Sequence, residues 1–257
     1  MKRLIINGIS GQMGRALLQA ISENNYGFEV VGGVDLTDEN RGVPVFSSAA
    51  SVNVPFDMVI DFSAPKASIA ALRHCESVGC PIVIGTTGLS VDDMLEIHKA
   101  SISIPVFQSA NMSLGVNLQI ALVKTAAHAL GFDADIEIVE KHHNRKVDAP
   151  SGTALMLANE IAQSMPEPMH FEMSRCESGH KRDPHEIGIH SIRGGTITGE
   201  HEIMFICRDE LITIKHEAFT KRVFASGALR AAAYLSEKPA GLYTMRDLVA
   251  EAGATDA

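Results

Sequence analysis

The sequence has no tryptophan, few aromatic residues (5%), no excess of basic charge and only four cysteines. With 22 Lys plus Arg against 31 Asp plus Glu, its formal charge is -9. A chain of that sign has no global field to gather nucleic acid or anionic lipid, so any anion it binds needs a local site. Cys75, Cys80, Cys176 and Cys207 form no CxxC pair, and the opening MKRLIING runs into a strand-like segment without a signal-peptide pattern. These features point to the cytoplasm. No apolar run approaches the roughly 18 to 20 residues of a membrane span. Even Val116 to Ala129 is broken by Asn117, Gln119, Lys124 and His128. What remains is a 257-residue chain with 46% hydrophobic residues, enough for one large or two ordinary globular domains. Disorder and collagen-like repeats are excluded, and small-molecule chemistry is favoured.

From Arg3 to Ala110, short β-branched runs alternate with amphipathic stretches of ten or more residues. The strand candidates are Leu4 to Asn7, Glu29 to Val34, Met58 to Phe62, Ile82 to Ile84 and Pro105 to Phe107. They are apolar almost throughout, as strands covered on both faces of a parallel sheet must be. The helix candidates are Met13 to Glu23, Pro65 to Val78 and Val91 to Ala100, with Pro65 suited to a first turn and Ser90 to an N-cap. This is the pattern of a doubly wound, Rossmann-like α/β domain.

After about residue 112 the texture changes to a long helix (Leu114 to Leu130), a strand (Asp135 to Glu140) and a helix (Thr153 to Gln163). Ile187 to Ile192, Glu202 to Cys207 and Glu210 to Glu217 alternate like antiparallel strands with one wet face, and Arg222 to Leu235 reads as a closing helix. A smaller α+β substrate domain is expected. Met165 to Pro184, with three prolines and Gly179, reads as a long loop.

Directly after the first strand comes Gly8-Ile9-Ser10-Gly11-Gln12-Met13-Gly14, opening a helix. Glycines let the backbone turn tightly and approach a phosphate pair, and helix-start amides donate to its oxygens. The bland alternative is a tight turn with no ligand, but its place in an alternating chain favours a dinucleotide. Asp35 lies 21 residues beyond Gly14, where an acid accepts from the adenosine ribose hydroxyls. Neither Gln12 nor Leu36 supplies a cation for a 2'-phosphate, and Arg41 is the nearest later candidate. NADH is therefore expected over NADPH. Gly85-Thr86-Thr87-Gly88 and Ser109-Ala110-Asn111-Met112 fall at later strand ends and are expected to line the nicotinamide half.

The most unusual stretch is Glu140-Lys141-His142-His143-Asn144-Arg145-Lys146-Val147-Asp148-Ala149-Pro150-Ser151-Gly152-Thr153-Ala154. Its cations, set before a helix start, suit a dicarboxylate: amides and hydroxyls of Ser151, Gly152 and Thr153 for one carboxylate, His or Lys for another. A solvated cationic loop is the bland alternative. A metal is not expected, because His142 and His143 are adjacent and Cys176, His180, His185 and His190 lack zinc spacing.

With NGISGQMGRAL, VIDFSAP, GTTG, SANMSLGVN, EKHHNRKVDAPSGTA, RGGTITGEH, FASGALRAA and GLYTMRDLV in place, the chain resembles the dihydrodipicolinate reductase family over nearly its full length. These are the 4-hydroxy-tetrahydrodipicolinate reductases of the diaminopimelate route to lysine. The resemblance implies that Gly8 to Met13, Asp35, Gly85 to Thr87 and Ser109 to Met112 bind NADH or NADPH. It implies His142 as a proton donor or acceptor, Lys146 as a second proton donor, and His143, Gly152 and Thr153 as ligands of the substrate carboxylates. The substrate would be a cyclic imine dicarboxylate reduced at C4 after loss of water. Members that use NADPH well tend to carry an arginine where this chain has Gln12 and Leu36. The resemblance further implies a homotetramer built through the second domain. A returning C-terminal segment would give a dinucleotide domain of residues 1–112 and 231–257 around a second domain of 113–230.

Another two-domain nicotinamide enzyme, an amino-acid or semialdehyde dehydrogenase, would share the first domain but not the His142 to Thr153 string. A non-catalytic NAD-sensing regulator would keep the glycine turn and need neither histidine nor Lys146.

Overall fold

The computed structural model describes residues 1–24, 26–37, 42–175 and 179–254. Within them the chain divides into two compact units, Met1–Leu114 with Arg222–Ala257, and Gly115–Lys221. The second boundary falls at Lys221 rather than at residue 230. Helix Arg222–Leu235 buries Ala225, Ala228, Leu229, Ala232 and Leu235 in the same core as Leu4, Ile6 and Ile60, so it belongs to the first unit.

In the first unit the strands are β1 (Lys2–Asn7), β2 (Phe28–Val34), β3 (Val45–Phe46), β4 (Met58–Asp61), β5 (Ile82–Ile84), β6 (Pro105–Gln108) and, much later in the chain, β12 (Gly241–Tyr243). They form one sheet in the order β12-β6-β5-β4-β1-β2-β3, every neighbouring pair parallel. Helices α1 (Gln12–Glu23), α2 (Pro65–Val78) and α3 (Val91–Ala100) connect them. Pro65 opens α2, and Ser90 caps α3 by accepting from the Asp93 amide.

Alternation along the strands explains the two-sided burial. Leu4 and Ile6 pack with the helix Arg222–Leu235 on one face, and Ile5 packs with Leu72 of α2 and Ile97 of α3 on the other. The strand order reverses between β1 and β4, and the glycine turn follows β1 at that switch point, where such sheets open a crevice for ligands.

The second unit holds α4 (Leu114–Leu130, from Gly115 onward), β7 (Asp135–His142), α5 (Gly152–Ala162), β8 (His170–Glu172), β9 (Glu186–Arg193), β10 (Gly199–Ile206) and β11 (Leu211–Ala218). Its sheet runs β11-β10-β7-β9-β8. The stretch read as antiparallel is only partly so: β10 pairs antiparallel with β7 and β11, but β9 lies parallel to β7 and β8. The connection from β7 through α5 is a crossover, and a crossover returns the chain in the same direction. The expected loop from Met165 to Pro184 contains β8, which pairs with β9. The helices α4 and α5 cover one face of this sheet around Ile136, Ile138, Ile189 and Phe205. Among the described residues, two further α-helices, α6 (Arg222–Leu235) and α7 (Met245–Ala254), belong to the first unit.

Candidate active site

The glycine turn is shaped by two close approaches. Gly8 adopts φ 84, and a Cβ there would sit 2.5 Å from the Phe62 carbonyl oxygen. At Gly14 a Cβ would lie 2.4 Å from the Ile9 carbonyl oxygen. The start of α1 at Gly11 has no side-chain cap and no acidic residue in its first turn, so its positive end is presented to an anion. Asp35 braces the turn: Oδ2 accepts from the Ser10 amide at 2.9 Å and Oδ1 from the Leu36 amide at 2.8 Å. Each carboxylate oxygen keeps a lone pair for a hydroxyl donor. Arg15 Nε donates to the Ser10 carbonyl at 3.1 Å, and Leu36 is 94% exposed. Arg41 lies outside the described residues. A cradle that side chains would fill, an uncapped helix start and an acid at the end of β2 together fit a dinucleotide.

Beside this turn a pocket of about 320 Å³ is lined by Met13, Gly85, Thr86, Thr87, Ala110 and Met112, together with Phe62, Ser63 and Phe224. Ser109 and Asn111 shape the adjoining loop instead: Ser109 Oγ donates to the Asn111 carbonyl at 2.9 Å, and Asn111 Oδ1 accepts from the Ser113 amide at 2.9 Å. Gly227 of α6 backs the same loop so closely that a Cβ would meet the Met112 carbonyl oxygen at 1.7 Å.

In the second unit, Ile136, Ile138, Glu140 and His142 share the buried face of β7. His142 Nδ1 lies 2.6 Å from Glu140 Oε2. Arg193, at the end of β9, donates to both oxygens of Glu140 at 2.9 and 2.6 Å, and the Ser151 amide donates to Oε1 at 3.2 Å. Burial pushes the Glu140 carboxyl up, but hydrogen bonds from Arg193, Ser191 and His142 outweigh it and bring the group down to about 2. His142 is lowered by burial, against the opposing pull of Glu140. A neutral imidazole that donates from Nδ1 to Glu140 carries its lone pair on Nε2. Gly199 lies beside that atom, where a Cβ would be 3.1 Å from Nε2.

After His142 the chain turns. The Lys146 amide donates to the His143 carbonyl at 3.1 Å, and Lys146 Nζ pairs with Asp148 Oδ1 at 2.8 Å. That pairing holds the Asp148 carboxyl below its ordinary range. His143 Nδ1 is buried without a hydrogen-bond partner. Gly152 and Thr153 begin α5, with Gly152 exposed.

Ser151 stands just before α5. It is 1% exposed, and its hydroxyl accepts from the Ala154 amide at 3.1 Å as the N-cap of α5. The same hydroxyl lies 3.0 Å from His201 Nε2, so it is committed within the protein rather than presented to a ligand. His201 is itself buried, with its ring centroid 5.3 Å from that of His142 in an edge-on contact. Burial, then His142, bring it down to about 4.

Among the described residues, no group of three or more His, Cys, Asp or Glu side chains is placed to hold a metal ion, and no helix is long and apolar enough to cross a membrane. Cys176 lies outside the described residues. His185 lies 3.0 Å from a Glu167 oxygen, and His190 lies 2.7 Å from Glu137.

Two family models match successive parts of the chain: "Dihydrodipicolinate reductase, N-terminus" over residues 2–112 and "Dihydrodipicolinate reductase, C-terminus" over 115–249. The chain belongs to the dihydrodipicolinate reductase family. A 4-hydroxy-tetrahydrodipicolinate reductase of Caldanaerobacter subterraneus subsp. tengcongensis is 49% identical over 250 residues, covering 97% of this chain and 98% of the relative. One from Clostridium novyi is 44% identical over 251 residues, with 97% and 98% covered. Among solved structures, a dipicolinate-bound dihydrodipicolinate reductase from Paenisporosarcina sp. TG-14 matches with TM-score 0.79 and 26% identity, covering 95% of this chain and 97% of that one.

In this reductase chain the sequence signals bring Gly8 to Met13 and Asp35 around one turn, and Gly85 to Thr87, Ala110 and Met112 around one pocket. Glu140, Arg193 and His201 were not among the expected site residues. Glu140 was findable, since a residue two before His142 on a strand shares its face. Arg193 and His201 depend on sheet register, which sets His142 opposite Arg193 and Glu140 opposite His201.

Proposed function

We infer that the chain is an NAD(P)H-dependent 4-hydroxy-tetrahydrodipicolinate reductase, reducing a cyclic imine dicarboxylate to tetrahydrodipicolinate in lysine synthesis through diaminopimelate. The observation that carries this reading is the match of both halves of the chain to the dihydrodipicolinate reductase models, over residues 2–112 and 115–249. The first unit holds the dinucleotide through Gly8 to Met13, Asp35, Gly85 to Thr87 and the loop Ser109 to Met112. A reduced nicotinamide, when bound, supplies the hydride.

The chain's own residues manage charge and protons. Lys146, paired with Asp148, donates towards the ring nitrogen of the substrate, and a protonated imine is the better hydride acceptor. His142 exchanges a proton at Nε2, and Glu140 stabilises the imidazolium formed when it takes one up. His143 and the helix start at Gly152 and Thr153 pair with the substrate carboxylates. NADH is preferred, because Leu36 follows Asp35 where a cation would meet a 2'-phosphate. The enzyme works in the cytoplasm as a homotetramer assembled through the second unit. Family likeness supports the tetramer, and β11 leaves Leu211 and Ile212 exposed.

Coupling the purified protein to dihydrodipicolinate synthase, fed with pyruvate and aspartate semialdehyde, tests the reading through the absorbance of NADH and NADPH in separate assays. Synthase-dependent consumption, faster with NADH, is expected. A folded protein that binds NADH and consumes neither cofactor would overturn the assignment.

A further inference from the structure

The ends of β1, β4 and β5 are tied together by a side-chain network centred on Asp61, a residue that the chemistry above does not use. Asp61, the last residue of β4, is fully buried, and its carboxylate meets donors: Asn7 Nδ2 at 2.7 Å and Ser63 Oγ at 2.5 Å on Oδ1, and Thr86 Oγ1 at 2.7 Å on Oδ2. Ser63 Oγ also accepts from Asn7 Nδ2 at 3.1 Å, and Thr86 Oγ1 accepts from the Ser63 amide at 2.9 Å. Both hydroxyl hydrogens are thus turned onto Asp61, and the side these oxygens have left to offer is a lone pair. All three partners are uncharged, so nothing in the network neutralises the carboxylate. Ser63 and Thr86 line the pocket beside the glycine turn.

We propose that Asp61 is a positioning residue for the nicotinamide half of the cofactor: it fixes the Ser63 and Thr86 hydroxyls as acceptors in the pocket wall, and its charge favours a cationic ring over a neutral one. This rests on reading that pocket as the nicotinamide half of the dinucleotide site. A wall of lone pairs accepts from a carboxamide and disfavours a phosphate. Loss of a hydride converts a neutral dihydropyridine into a pyridinium cation, so a buried anion behind the wall acts in the direction of the reaction. Sequence reading passes over Asp61 because an acid at a strand end is ordinary in a turn. Its depth and its three donors set it apart.

The test compares wild type with Asp61→Asn by fluorescence titration with NADH, NAD+ and ADP-ribose, which lacks the nicotinamide. Removing one charge a short distance from the ring is expected to weaken NAD+ roughly tenfold relative to NADH. ADP-ribose binding should stay within about twofold of wild type, as a ligand without the ring does not sense that charge. An unchanged NAD+ to NADH ratio, or an equal loss for ADP-ribose, overturns the proposal. Wild-type protein that binds none of the three would instead overturn the dinucleotide reading. If Asp61→Asn does not fold, Thr86→Val and Thr86→Ser decide the matter. Valine, which cannot accept, should weaken NADH but not ADP-ribose, and serine should restore it. Equal NADH affinity in Thr86→Val and wild type overturns the proposal.

Discussion

His142 Nδ1 lies 2.6 Å from a Glu140 carboxylate whose two oxygens are also held by both terminal nitrogens of Arg193. The imidazole is therefore oriented by a buried anion that is itself compensated. Glu140→Gln removes the charge that opposes the burial-driven lowering of His142, and it lets an amide N–H face Nδ1 in place of an acceptor. Turnover should fall about a hundredfold, as for loss of a positioned acid or base. The His142 limb of the pH–kcat/KM profile should move to lower pH. An unshifted limb would show that Glu140 serves the fold alone.

His142→Gln and Lys146→Ala should each lower kcat by about a hundredfold or more, because each removes a group that handles protons in the transition state. NADH binding by fluorescence titration should barely change, since both residues lie in the second unit and the glycine turn in the first. Near-normal turnover in either variant would remove that residue from the chemistry.

Acid should destabilise the protein in two stages. His201 is brought from the ordinary 6.5 to about 4 in the folded state. Above pH 6.5 it is neutral both folded and unfolded and costs nothing. As pH falls towards 4 the unfolded chain takes up a proton that the native state refuses, costing roughly 3 kcal/mol by the lower limit. Glu140, lowered from 4.5 to about 2, adds a second loss as pH falls below 4.5. Urea midpoints across this range should show both declines. His201→Gln should flatten the upper one, while the lowered His142 and His216 leave a smaller slope of the same sign.

Gly227→Ala should destabilise the first unit by about 3 kcal/mol or more, because the new methyl meets a backbone carbonyl that cannot rotate aside. Its contact is the Met112 oxygen, so the variant should also weaken NADH binding through the loop that lines the pocket. Denaturant unfolding and NADH titration read the two effects. Wild-type values in both would show that the loop yields freely.

The first unit was legible because its signals are local. A parallel strand buried on both faces reads as an unbroken apolar run, and the Gly8 turn needs glycines that fall within a few residues of each other in the chain. The bounds of α2 and α3 follow the same logic, with Pro65 and Ser90 marking their starts. The second unit was harder because its signals are not local. Whether β9 runs parallel or antiparallel to β7 depends on a crossover through α5, and alternation within Ile187 to Ile192 is the same for either. The contacts of the Ser151 hydroxyl were hidden for a related reason: a hydroxyl before a helix offers the same chemistry to a ligand as to its own N-cap. Only the burial supplied by its neighbours decides which one takes it.

The path of the chain through the two units also orders their completion during synthesis. The sheet and helices of the second unit end at Lys221, so that core has all its parts while the last stretch of the protein is still to be made. The first unit, begun earlier, waits for Ala225 to Leu235, Met245 and Leu248 to seal the face of Leu4, Ile6 and Ile60. A ribosome thus releases the domain it started first only after the inserted one is whole, and a nascent chain stalled before α6 would display an open apolar sheet to chaperones.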